Sequence, residues 1–183
     1  MTDETGKPVR KPPRKVTEAY LQRAAMSYLE RYASSAENLR RVLRRKVDKR
    51  CRLRGENPAE FHDMIDEVVA KSLKIGLIDD TRYAEARVAS LRRRGGSARA
   101  IQAKLSAKGV DRSTIAAALE GEDGDEEQAA RAFARRRKLG PFRPGERVPY
   151  RDKDLAAMAR AGFRFDVART IIEGERDEEQ DRL

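Results

Sequence analysis

The chain has 183 residues, of which 39% are apolar and 39% charged, no tryptophan, and a formal net charge of +10. That length allows one or two ordinary domains, and the shortage of large apolar side chains argues for an elongated array of small cores rather than one deep one. A single cysteine, Cys51, excludes an internal disulfide framework. No apolar run approaches a bilayer span and the basic, proline-containing start lacks the core of a secretory signal, so a cytoplasmic protein is expected.

Alanine, leucine, arginine, glutamate and lysine dominate, a mix that favours helix over strand. The first helix is predicted over 17–31, with Tyr20, Leu21, Ala24, Ala25, Tyr28 and Leu29 on one face at three- and four-residue spacing. Ser34-Ser35-Ala36-Glu37 has the form of a capping box and opens the second, whose stripe is Leu39, Val42, Leu43 and Val47. A basic stretch with glycine and proline, 48–58, reads as an insertion. The third helix carries Phe61, Met64, Ile65, Val68, Val69 and Leu73 before Gly76, a residue able to close a helix in the left-handed conformation.

Asp79 and Asp80 can cap the fourth helix, over 81–94, with Tyr83, Ala84, Val88 and Leu91 inward. Arg92-Arg93-Arg94 closes it and Gly95-Gly96 breaks the chain. Ser97 opens the fifth, over 98–108, with Ile101 and Leu105. Lys108-Gly109-Val110 stops that helix, and the sixth starts near Asp111 with Ile115, Ala118 and Leu119. An acidic linker, 121–125, precedes the seventh helix, over 126–139. After a loop with Pro141, Pro144 and Pro149, the eighth begins near Asp152, and the ninth uses Val167, Ala168, Ile171 and Ile172.

These segments read as one unit written three times. Lys108-Gly109-Val110 with Ile115 and Leu119 matches Ala161-Gly162-Phe163 with Ala168 and Ile172, while Leu39 and Leu43 match Ile101 and Leu105. Such narrow stripes require neighbours to share buried faces. The expected fold is all-α, an elongated array of three tandem three-helix repeats over 17–78, 79–121 and 125–174. A disordered basic tail (1–16) would precede them and a charged tail (175–183) follow.

The order of stop and start signals from Gly76-Leu77-Ile78-Asp79-Asp80-Thr81-Arg82-Tyr83-Ala84-Glu85-Ala86 through Arg92 to Ser97 and Lys108-Gly109-Val110 resembles the RecX family, bacterial regulators of the RecA recombinase. The resemblance extends from about Tyr20 to Ile172. It implies the same three tandem three-helix units, and a monomer that lodges in the groove of the RecA–single-stranded DNA filament. There it would inhibit ATP hydrolysis, strand exchange and co-protease activity, and so modulate homologous recombination, DNA repair and the SOS response. ATP belongs to RecA in this scheme, and the chain needs no cofactor.

The residues themselves point away from catalysis. His62 is the sole histidine, which leaves no histidine-based metal cluster or Ser-His-Asp site, and its place in the first turn of a helix reads as surface. Cys51 sits in a basic run that could lower its pKa, but it lacks a neighbouring histidine and reads as structural. Helix capping explains Asp79-Asp80 more simply than metal binding does. The 123–127 acidic run lacks the twelve-residue ligand pattern of a calcium loop, and no nucleotide-binding glycine motif occurs. No enzyme is expected.

The basic clusters carry the functional expectation. Positive charge is concentrated in 1–54 and 81–109, around an acidic 55–80, and suggests a polyanionic partner. Arg40, Arg41, Arg44 and Arg45, with Lys46, lie on the second helix away from Leu39 and Leu43. Arg92, Arg93 and Arg94 close the fourth helix, and Arg135, Arg136, Arg137 and Lys138 close the seventh; Lys104 and Lys108 lie on the fifth. Each set complements a helix dipole or a solvated face. Together they could form a positive stripe for RecA filament or DNA, giving weak, salt-sensitive binding without sequence preference. The competing reading is a helix-turn-helix-like DNA-binding module built on the fifth and sixth helices. The alanine-rich sixth helix has few side chains able to read base edges.

Overall fold

A computed structural model of the chain describes residues 13–120 and 125–175. The expected acidic linker, apart from Asp125, and the far ends of both tails lie outside these residues. Among the described residues the regular structure is nine α-helices and three short 3-10 turns, with no strand, in two compact units, residues 1–79 and 80–183. No helix is long and apolar enough to cross a membrane.

The first unit contains α1 (Glu18–Leu29), α2 (Ala36–Arg54) and α3 (His62–Lys74), the last entered through a 3-10 turn, Pro58–Phe61. Thr17 caps α1 by accepting from the amide of Tyr20 at 3.2 Å. Leu21, Leu39, Leu43, Val47, Cys51, Ile65 and Val69 form the buried centre. Each fully buried aliphatic side chain here is worth about 2 kcal/mol.

Three sequence expectations are revised here. The cap of α2 is Ser35, which accepts from the amide of Asn38, so the capping-box register is shifted by one; Ser34 instead accepts from the Asn38 side chain at 2.8 Å. The stretch expected as an insertion, 48–58, begins as two further turns of α2. The burial of Cys51 four residues after Val47 keeps that helix on the core. Residues 13–16 of the expected disordered tail are ordered. Val16 is buried, and the carbonyls of Pro13 and Arg14 accept from Arg54 and Arg50 at 2.8 Å each.

The second unit holds α4 (Asp80–Arg93), α5 (Ala98–Ala107), α6 (Arg112–Glu120), α7 (Asp125–Arg137), α8 (Arg151–Arg160) and α9 (Phe165–Glu173). It has two buried clusters. One joins Ala84, Val88, Ile101, Leu105 and Ile115 from α4–α6; the other joins Ala130, Ala134, Leu155, Met158, Ala168 and Ile172 from α7–α9. The chain is thus three sets of three helices, each around its own small core.

The two clusters of the second unit interlock because α4 packs on α7 and because Ser97 does two jobs. Its hydroxyl accepts from the amide of Ala100 at 3.2 Å, capping α5, and donates to the carbonyl of Ala161 at the end of α8 at 2.7 Å. Gly95 is equally constrained. Its φ is +73°, and a Cβ there would sit 2.6 Å from the backbone nitrogen of Phe133 on α7. Close helix approach and chain reversal both require glycine at that position.

Candidate polyanion-binding surface

The basic residues singled out in the sequence differ in how far they are buried and in what holds them. Arg40 is half-buried between α2 and α3, with Nε donating to Asp66 at 2.6 Å and Nη1 to Glu37 at 2.7 Å. The Asp66 carboxylate is the main cause that raises its pKa above the ordinary arginine value. Arg41 pairs with the same Glu37 at 3.0 Å. Arg44 is half-buried, with its Nε buried and unbonded, while Arg45 is exposed. Within the α2 cluster Arg40 therefore ties α2 to α3, while the Arg41 pair stays within α2.

Arg92 departs most from expectation. It is 5% exposed, pairs with Glu126 at the start of α7, and donates to the carbonyl of Gly96 at 3.3 Å. Arg92 and Arg93 are set about 100° apart on α4, so the two cannot both face α7, and Arg94 lies just past the helix end. Arg93 and Arg94 remain exposed, as do Lys104 and Lys108 on α5.

The α7 cluster opens onto solvent. Arg135, Arg136, Arg137 and Lys138 are all exposed. Arg135 lies over the Phe142 ring and Arg136 over Phe133, each 5.8 Å from the centroid. Arg136 also donates to the carbonyl of Arg94 at 2.6 Å, bringing the ends of α4 and α7 together. A cleft of about 380 Å³ lies beside this helix end, lined by Arg136, Arg137, Lys138, Arg143, Lys153, Asp154 and Arg160.

The one carboxylate in that cleft is occupied. Asp154, 1% exposed, accepts from the backbone amide of Gly140 at 2.8 Å and pairs with the Arg143 guanidinium. That bond is the main reason Arg143 titrates above the ordinary arginine range. Arg143 also lies 4.3 Å from the centroid of the Tyr150 ring. Both contacts hold its side chain in place. Among the described residues no carboxylate pairs with Arg137, Lys138, Lys153 or Arg160.

Sequence reasoning missed Arg143, Lys153 and Arg160 because they are scattered singly between acidic and apolar neighbours. A signal was present on α8: Lys153, Ala157 and Arg160 fall at i, i+4 and i+7, one face of the helix.

Among the described residues no group of three or more histidine, cysteine, aspartate or glutamate side chains is placed to hold a metal ion. Cys51 is fully buried, and desolvation, reinforced by Glu56 and Asp48, pushes its thiol pKa up rather than down. His62 is exposed.

Comparison with known proteins agrees with this architecture. Residues 79–119 match the family model of the second three-helix domain of RecX. The chain is 43% identical over 167 residues to a regulatory protein RecX of Myxococcus xanthus, covering 89% of each. It is 32% identical over 166 residues to the RecX of Agrobacterium fabrum, covering 90% of this chain and 88% of that one. The crystal structure of RecX from Lactobacillus salivarius superposes with a TM-score of 0.62 at 22% identity, over 91% of this chain and 97% of that one, a likeness of fold. Identity of this extent, over nine-tenths of the chain, places the protein in the RecX family of regulatory proteins.

Proposed function

We propose that this protein is a non-enzymatic, cytoplasmic regulator of RecA. In this reading it binds the RecA–single-stranded DNA filament as a monomer and inhibits ATP hydrolysis, strand exchange and co-protease activity, with no cofactor of its own. The observation that carries the reading is the RecX relationship across 89% of the chain. The exposed cations on α5 and α7 give it a physical route. A filament presents phosphates and protein together, so weak charge-assisted contacts to the backbone would add to contacts with RecA. The helix-turn-helix alternative is disfavoured by α6, Arg112–Glu120, whose side chains after Thr114 are Ile115, three alanines and Leu119 before the final glutamate.

The test is a pull-down of RecA by the tagged chain, with and without single-stranded DNA and a non-hydrolysable ATP analogue, beside a RecA ATPase assay. Capture that depends on the assembled filament, with substoichiometric inhibition of hydrolysis, is the expected result. Failure to bind filaments, or tight binding to one duplex sequence over random DNA at physiological salt, would overturn it.

A further inference from the structure

We propose that the cleft between the end of α7 and α8 is a phosphate-backbone site, through which this chain itself holds a nucleic-acid strand. The inference rests on the filament reading for its biological setting. Its test uses no recombinase, so the two can fail separately.

Three observations support it. Five cations (Arg136, Arg137, Lys138, Lys153 and Arg160) line one concave surface, and the sole carboxylate there is already committed to Arg143 and Gly140. Like charges gathered in a cleft repel one another unless an anion enters, and concave walls focus their field.

The second observation concerns shape. Arg160 also lines an adjoining cleft of about 400 Å³ with Arg99, Ala100, Ala103 and Gly162. The cations therefore run on from Lys138 past Arg160 to Arg99, which suits an extended polyanion better than a point anion. No aromatic ring lines either cleft, and their apolar walls are chiefly alanine. A nucleotide base would find nothing to stack on, and an acidic peptide would find no pocket for an apolar anchor. Contact to phosphates alone remains, without sequence preference.

The third observation is Lys138. It is the one non-glycine residue among those described with positive φ, at +55°; Gly55, Gly76, Gly95, Gly109 and Gly162 occupy the corresponding turns after other helices. Lysine thus stands in a left-handed turn where glycine serves elsewhere, and this strained position lines the cleft.

Anisotropy of a labelled 40-residue oligothymidine, titrated with the full chain, tests the site. The triple variant Arg137→Gln, Lys153→Gln, Arg160→Gln should weaken binding on the order of tenfold and flatten the salt slope by about 2, the share of three phosphates. A control removing three charges elsewhere, Lys49→Gln, Lys74→Gln, Arg112→Gln, should change affinity less than about threefold. Lys138→Gly should melt no lower than the parent yet bind more weakly. Equal losses in the cleft and control variants would overturn the proposal, as would unchanged affinity in Lys138→Gly and the cleft triple. Displacement of the oligonucleotide by stoichiometric pyrophosphate would mark a point-anion site, and displacement by polyglutamate at equal charge an acidic-protein site. Either result also overturns it.

Discussion

Arg92, in the last turn of α4, is buried against Glu126, in the first turn of α7, and Glu126 in turn accepts the amide of Ala98 at 3.0 Å. One carboxylate thus joins the ends of three helices and sets the register between the two small cores of the second unit. Removing Glu126 strands the buried Arg92 charge, and removing Arg92 leaves a half-buried carboxylate without its cation and a gap between the helices.

Arg92→Ala should therefore destabilise the second unit by about 3 kcal/mol. Arg93→Ala and Arg94→Ala should each stay within about 0.5 kcal/mol of the parent. Denaturant unfolding with amide exchange read on α4 and α7 would check this. Equal, small effects at all three positions would show that the pair contributes nothing. Any functional reading of the cluster must use Arg93 and Arg94, because a triple substitution reports lost stability.

Gly95→Ala and Gly55→Ala both place alanine at positive φ, +73° and +69°, but only the first meets backbone, at 2.6 Å; nothing lies within 4 Å of a Cβ at Gly55. Gly55→Ala should cost about 1 kcal/mol, the left-handed penalty alone. Gly95→Ala should cost roughly 2–4 kcal/mol, since overpacking is added to it. Chemical denaturation of the two variants separates the conformational and steric contributions.

Asp111 caps α6, its carboxylate accepting from Ser113 and Thr114, the amides at 2.8 and 3.0 Å. These bonds, the Ser113 hydroxyl foremost, hold its pKa well below the ordinary carboxylate value. A depressed folded pKa gives stabilisation that is complete above about pH 4 and lost as pH falls through the lowered value. Carboxyl-detected NMR should show Asp111 ionised well below pH 4, with Ser113→Ala moving the midpoint upward. A midpoint near 4 in the parent would refute the cap's electrostatic role.

Cys51 is fully buried, and burial raises its thiol pKa. Native protein should react with a thiol-specific disulfide reagent only at the rate at which the first unit opens, and at once in denaturant. Rapid stoichiometric labelling of the folded chain would contradict the packing of α2.

Helix ends were legible because their causes are local. Thr17 and Ser97 cap within three residues, and Gly76, Gly109 and Gly162 carry the left-handed turns at the stops read from sequence. The end of α2 was misread for the same reason. Local basic and polar composition hid Cys51, whose burial one turn beyond Val47 depends on α3 and the chain entering α1. Ser97 was legible as a cap but not as the donor to Ala161, 64 residues on.

Composition and spacing by themselves determined that this chain is helical, that it stops and restarts at glycine and serine, and that it divides into three small apolar cores, because backbone preference and side-chain period act over a few residues. Which cations are available was decided only by tertiary structure. Arg92 and Arg93 are chemically identical neighbours, yet one is sealed beneath α7 and the other faces water. Arg143, Lys153 and Arg160, spread over eighteen positions, become one surface only when α8 folds against the end of α7. Charge acts through space, so its meaning depends on which side chains long-range packing brings within a few ångströms.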